Sequence, residues 1–248
     1  MTAPLVSIVL PAYNAAGFLP RAIDSVLQQS CRDYELIVMD NASTDATHAV
    51  MGGYTDARIR YVGNASNIGM VNNINKGLDL ATGRLAVVLC ADDHWDAAFL
   101  ARSIDTQRSR PGLTFTNSIV IRSGQPETYR NVHRGRANVP AWRLVRHLHG
   151  IPLSSLMFPL SRPGTRFDAR LPFNCDLEFV LRSMIQGRQP LTMIEWPGVY
   201  VALHAANETL RYDIRLENIK LLGIVSGYVS NPLLQLFVAA RRGRLRLG

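Results

Sequence analysis

Val6–Asp45 reads VSIVLPAYNAAGFLPRAIDSVLQQSCRDYELIVMDNASTD. It opens with a compact apolar run, Val6–Pro11, of the kind a parallel strand buried on both faces requires. Ala12–Gly17 is a loop, and Leu19–Gln29 carries apolar residues at 19, 22, 23, 26 and 27, one face of a helix. Glu35–Asp40 (ELIVMD) is a second strand, closed by the polar turn Asn41–Asp45. The alternation then repeats. A helix is expected near Thr44–Gly52, a third strand at Arg58–Gly63, a helix over Met70–Thr82 after the break at Asn67–Gly69, and a fourth strand at Leu85–Cys90 (LAVVLC). Strands and helices in strict alternation predict an α/β fold: a mostly parallel central sheet with helices on both faces.

Beyond residue 96 the pattern loosens. Phe99–Ser109 reads as a helix and Leu113–Arg122 as a strand. Residues 123–150 are richer in Arg, His and Pro, with a short helix around Trp142–Leu148. Leu156–Leu160 fits a small antiparallel addition to the sheet. Asp176–Gln186 and residues 210–224 are helical, and Thr192–Val201 holds another strand. No repeat or low-complexity linker divides the chain, so 1–248 is read as one domain. Its second half is the more variable, and residues 211–248 read as a helical basic tail.

Composition narrows the class. With 248 residues, 47% of them hydrophobic and 19% charged, the chain is long and apolar enough to bury a core without disulfides or structural metal. Cys31, Cys90 and Cys175 are scattered and unpaired in sequence, which fits neither a disulfide framework nor a zinc ribbon and suits a reducing cytoplasm. Neither a signal peptide nor a membrane-spanning helix is expected. The net charge is +8, and 25 of the 27 basic residues are arginines. That excess is either a solvated face or an attraction to anionic membrane; no pattern supports nucleic acid.

Polar residues gather where strands end, which is where open α/β sheets bind ligands. Asp92 and Asp93 follow the fourth strand, and adjacent carboxylates there form either a solvated acidic turn or a seat for Mg²⁺ or Mn²⁺ that holds a diphosphate. Asp40 ends an apolar strand and is placed to accept from a base imide N–H. Ser43, Thr44 and Asp45 are equally explained as helix caps. Tyr13 either lies along a nucleobase or lids the sheet end. Asp176 and Glu178 begin a helix, as dipole partners or, for one of them, as a general base. His204 is a third metal ligand or a satisfied histidine. Neither G-x-G-x-x-G nor a P-loop follows the early strands, which argues against a dinucleotide-binding domain and a P-loop NTPase. The residues alone thus give a metal-assisted enzyme acting on a phosphate-bearing nucleotide.

Taken in order, these segments resemble family 2 glycosyltransferases of the GT-A (Rossmann-like) fold. VSIVLPAYN resembles that family's first strand and loop, ELIVMDNASTDAT its VVDDGSTDGT segment, Asn67-Ile68-Gly69 through Asn75-Lys76-Gly77 its paired N-x-G spacing, LCADDHW its LDADDxW, and RFDARLPFNCDLEFVLR its FDERL…EDxDLxLR segment. The resemblance covers about residues 4–204. It implies an inverting sugar transferase, with residues 1–96 as its nucleotide-sugar-binding half and 97–210 as its acceptor-binding half. Pro11, Ala12, Tyr13, Asn14, Asp40, Asn41, Asn67, Asn75, Ala91 and Asp92 would line the donor site, Asp93 with Asp92 and His204 would hold Mn²⁺ or Mg²⁺, and Asp176 would be the general base. The chain departs from the pattern at Asn41 (Asp), Ile74 (Arg), Cys90 (Asp), Cys175 (Glu) and Ala202 (Arg). A non-catalytic sugar-nucleotide binder and a nucleotidyltransferase-like enzyme are the competing readings.

The implied donor is a UDP- or dTDP-sugar, since uracil and thymine offer Asp40 the same imide edge. The acceptor, a carbohydrate, lipid-linked or small-molecule hydroxyl, is expected against residues 123–172 and the tail. In the Phe237–Leu247 tail, apolar residues are expected inward and Arg241, Arg242, Arg244 and Arg246 outward, either packed on the domain or lying on an anionic membrane. The expected location is the cytoplasm, at its membrane face if the tail docks.

Overall fold

The computed structural model describes residues 3–122, 128–130, 138–148, 151–160, 165–205, 207 and 211–247. Strands β1 (Val6–Ala12), β2 (Tyr34–Asp40), β3 (Ile59–Gly63) and β4 (Leu85–Val88) form a parallel block in the order β3-β2-β1-β4. Their helices are α1 (Leu19–Leu27), α2 (Thr47–Met51) and α3 (Met70–Leu80). The unbroken apolar runs follow from burial on both faces. Ile8, Leu10, Leu36, Val38 and Val87 join one core, whereas their neighbours Val9, Ile37, Met39, Ala86 and Val88 join the other. Helix α3 lies so close to the sheet that a Cβ on Gly77 would stand 2.5 Å from Val9 Cγ1.

The sheet continues through the second half. Strand β8 (Met157–Pro159) runs antiparallel to β4 and joins it to a second parallel pair, β6 (Leu113–Arg122) and β9 (Leu191–Leu203), with β5 (His94–Trp95) antiparallel at the edge and β7 (Thr128–Arg130) against β6. The result is a mostly parallel mixed sheet flanked by helices. The antiparallel element is therefore a bridge between two parallel blocks as well as a fringe. Helix α4 (Phe99–Ser109) serves the core of α1. Helices α5 (Ala141–His147), α6 (Cys175–Ile185), α7 (Ile214–Ser226) and α8 (Pro232–Leu247) cover the opposite face. Among the described residues, no helix is long and apolar enough to cross a membrane.

Three expected boundaries move for local reasons. The helix expected over Thr44–Gly52 begins at Thr47, because Asp45 accepts from both the Thr47 N–H and its hydroxyl. The fourth strand stops at Val88, and two residues on, the Cys90 N–H donates to Ser154 Oγ at 3.0 Å. Helix α7 starts at Ile214, capped by Asp213, which accepts from the N–H groups of Arg215 and Leu216. The tail agrees in part. Within Phe237–Leu247, Val238 is buried and Phe237 and Leu245 pack on the core as expected, whereas Arg241 and Arg242 are half-buried, with the Arg242 guanidinium against Gly223; ahead of that stretch, Leu233 and Leu236 face outward. Arg244 is exposed, and the Arg246 side chain lies outside the described residues.

Candidate functional site

The loops after β1, β2 and β4 meet at one end of the sheet. Ala12 is the register partner of Asp40, and the Asn41 N–H donates to the Ala12 carbonyl at 2.8 Å. Asn14 stitches the first two loops: its N–H donates to Ser43 Oγ, and its Oδ1 accepts from the Thr44 N–H. Pro11 and Ala91 are partly buried in this surface, and Tyr13 is exposed. Asp40 is buried and already has two donors, the Ser43 N–H at 2.9 Å and the Tyr61 hydroxyl at 2.5 Å. Burial of the Tyr61 phenol, and then the Asp40 carboxylate beside it, push it far above its usual range.

Asn41 is spent on the scaffold. Its Oδ1 accepts from Asn64 Nδ2 and the Ile68 N–H, and its Nδ2 donates to Asn67 Oδ1. Asn67 in turn accepts from the Gly69 N–H. Asn75 exchanges two hydrogen bonds with the Phe167 backbone, so it ties α3 to the segment before α6. The structure thus gives Asn41, Asn67 and Asn75 loop-holding bonds. Ile74, at the position of the family's Arg, is fully buried. Ala42 adopts a left-handed conformation (φ 62°), which costs a side chain about 1–2 kcal/mol and costs glycine nothing. Ala42→Gly should therefore raise stability by about 0.5–1 kcal/mol in urea denaturation, with an unchanged m-value.

The second cluster hangs from β4. Cys90, Asp92 and Asp93 place Sγ and carboxylate oxygens within 4.8 Å of one another, an arrangement able to coordinate a divalent metal. Asp93 is buried; its Oδ2 accepts from Ser154 Oγ at 2.6 Å and its Oδ1 from the Ala202 N–H at 3.1 Å. Desolvation, and then the Asp92 charge, push its carboxyl up to about 8. Asp92 is more open and faces His204, with Nε2 3.2 Å from its Oδ2, and it also accepts from Asn207 Nδ2 at 2.8 Å. The His204 ring stacks on Phe18 with centroids 4.5 Å apart. Burial and both aspartates push the Cys90 thiol well up, and the cluster sets two hard oxygen ligands beside one soft sulfur. Two crowded carboxylates, one of them desolvated, fit a divalent cation.

Asp176 lies in the first turn of α6 and is partly exposed. Desolvation by its surroundings pushes its carboxyl up to about 7, against the pull of the Leu177 N–H at 2.6 Å. Glu178, by contrast, is buried and paired with Arg182. Ser154, Asn207, Phe18 and Tyr61 join the site without any sequence signal that singled them out; only their hydrogen bonds and ring contacts do so.

Residues 7–158 match the model of the family described as "Glycosyl transferase family 2". The chain belongs to this family. Among curated proteins it is similar to the putative teichuronic acid biosynthesis glycosyltransferase TuaG of Bacillus subtilis, with 35% identity over 127 residues, half of each chain. It is also similar to the UDP-Glc:alpha-D-GlcNAc-diphosphoundecaprenol beta-1,3-glucosyltransferase WfgD of Escherichia coli, 33% identical over 51% of this chain and 47% of that one. The chain spans about half the length of these relatives. Among solved structures it resembles S. aureus TarS 1-349 in complex with UDP-GlcNAc (TM-score 0.78, 13% identity, covering 97% of this chain and 71% of that one). It also resembles the mannosyltransferase PcManGT of Pyrobaculum calidifontis with GDP-Man and Mn²⁺ (TM-score 0.62, 18% identity, 100% and 76%). At these identities the structural matches speak for the GT-A-like fold.

Proposed function

We propose that this family 2 member transfers a sugar from a UDP- or dTDP-sugar to an acceptor hydroxyl, with inversion at the anomeric carbon. The observation that carries the reading is the crowding of two carboxylates, Asp92 and Asp93, just after β4. Asp92 and Asp93 crowd together and want positive charge, while Asp176, poised near neutrality, suits a general base. The relatives' names support it: a UDP-sugar is the donor named for WfgD, and UDP-GlcNAc is the ligand of the TarS structure.

Asp176 takes the proton from the acceptor hydroxyl as its oxygen bonds to the anomeric carbon. The bond from that carbon to the diphosphate oxygen breaks on the opposite face, and the nucleoside diphosphate leaves with the electron pair. Mn²⁺ or Mg²⁺, held by Asp92 and Asp93, would supply the charge that offsets the leaving diphosphate. Asp40 accepts from the base imide while keeping its bonds to Ser43 and Tyr61, since a carboxylate has about four acceptor sites. Exposed Tyr13 covers the base. His204, stacked on Phe18, holds Asp92 in place.

The test is thermal unfolding with UDP, dTDP, GDP and CDP, with and without Mn²⁺. A ligand that binds only the folded chain raises its apparent stability. A metal-dependent rise with UDP or dTDP, and none with CDP, is expected. No response to any nucleotide would overturn the reading.

A further inference from the structure

The least explained surface lies away from the carboxylates, where α5 meets α8. A groove of ≈ 430 Å³ opens there between Ala141 and Trp142 of α5 and Leu233, Leu234 and Phe237 of α8. Its rim is apolar and open to solvent: Leu233 is 78% exposed, Leu236 68% and Trp142 44%. Leu233, Leu236, Ala240 and Arg244 are all exposed at spacings of three and four residues, so they share one stripe of α8 that ends on a cation. Val238 points inward, so the helix is anchored by one face and presents the other.

The two helices hold no acidic residue. Helix α8 carries Arg241, Arg242, Arg244 and Arg246, and α5 carries Arg143 and Arg146. This charge selects among occupants. A second copy docked by the same face would set these arginines against their own kind, because a two-fold contact repeats one patch on both sides. An anionic bilayer offers negative charge to the arginines and a hydrocarbon boundary to the leucines and the groove. Trp142 supplies the amphipathic ring that prefers that boundary.

We propose that the α5–α8 face docks the protein on an anionic membrane surface, with Leu233, Leu236 and Trp142 entering the headgroup–acyl boundary and the exposed arginines, Arg146 and Arg244, engaging the headgroups. Helix α5 also packs on α6, whose first turn carries Asp176. The docked face therefore belongs to the half of the molecule that would meet an acceptor. The inference goes beyond the transferase reading and does not depend on turnover.

The test is co-sedimentation of the full chain with vesicles of phosphatidylcholine, alone or with one-third phosphatidylglycerol. Binding to the anionic vesicles should exceed that to the neutral ones at least about tenfold and should weaken with salt. Leu233→Asp with Leu236→Asp should reduce it on the order of a hundredfold, with the melting temperature retained because both side chains are already in water. If that pair melts lower, Leu233→Ser with Leu236→Ser gives the same comparison. Tryptophan emission should shift to the blue on the anionic vesicles, and Trp142→Phe should remove the shift. Equal binding by wild type and the double variant would overturn the proposal. So would absence of vesicle binding, or self-association in vesicle-free buffer that the double variant abolishes.

Discussion

Asp176→Asn should lower kcat by about 10²–10⁴-fold while leaving the KM for donor nearly unchanged. The amide cannot take the acceptor proton, yet its Oδ1 can keep the bond from the Leu177 N–H, so the start of α6 stays in place. The same substitution should stabilise the protein in mild alkali. In the folded chain the Asp176 carboxyl titrates at about 7, against an ordinary 3.8. Between those values the folded state holds a proton that the unfolded state has released, so stability falls as pH rises through the window and stays reduced above it. Near pH 8 that cost is about 2–4 kcal/mol, reduced by the carboxyl's partial exposure, and removing it should raise the melting temperature by roughly 5–10 °C. Near pH 4 the gain should vanish. In the wild type, kcat/KM should rise with pH towards a plateau above about 7 as the base ionises, and the variant's residual rate should lack that limb. A variant that turns over normally, or that melts lower than wild type near pH 8, would remove Asp176 from its role.

The first ninety residues were legible because β1, β2 and β4 are buried on both faces. Val6–Pro11, Glu35–Asp40 and Leu85–Cys90 advertise themselves as apolar runs, and the polar residues that close them mark the sheet end where the site forms. The two-residue strand His94–Trp95 could not be read, because its pairing with Val199 and Tyr200 comes from across the fold. The same holds for the partners of Asp93: Ser154 and Ala202 lie 61 and 109 residues away in sequence. Asn41 shows a different limit. An asparagine donates and accepts equally well, so its type fits a ligand contact and a loop brace alike, and only the bonds to Asn64, Asn67 and Ile68 reveal the brace. In the Phe237–Leu247 tail, apolar residues were expected inward and arginines outward. Val238, Phe237 and Leu245 do turn to the core, and Arg244 is exposed, but Arg241 and Arg242 are half-buried, and Gly223, lacking a side chain, seats the Arg242 guanidinium. Parts of the expected acceptor segment, 123–127, 131–137, 149–150 and 161–164, lie outside the described residues.

Asp92→Asn should abolish the metal-dependent part of the nucleotide response, whereas Cys90→Ser should leave it intact. At a ligand concentration about a hundredfold above Kd, binding adds about 2.7 kcal/mol to apparent stability, roughly 5–11 °C for a chain of this size. In the wild type, Mn²⁺ with UDP should approach that shift. Asp92 is the more open carboxylate of the pair, already holding His204 and Asn207 at its Oδ2, and its loss removes one of the two carboxylates that attract the cation. Asp93 alone, buried and with both oxygens bonded to Ser154 and Ala202, is a poor seat for an ion. Cys90 occupies the place of the family's first aspartate and lies as near the cluster as either carboxylate, so position alone would make it a ligand. Its chemistry says otherwise. Mn²⁺ and Mg²⁺ are hard cations that prefer oxygen to sulfur. If Cys90→Ser erased the metal response while Asp92→Asn kept it, the site would be a sulfur site, and the charge argument for the leaving diphosphate would fail with it.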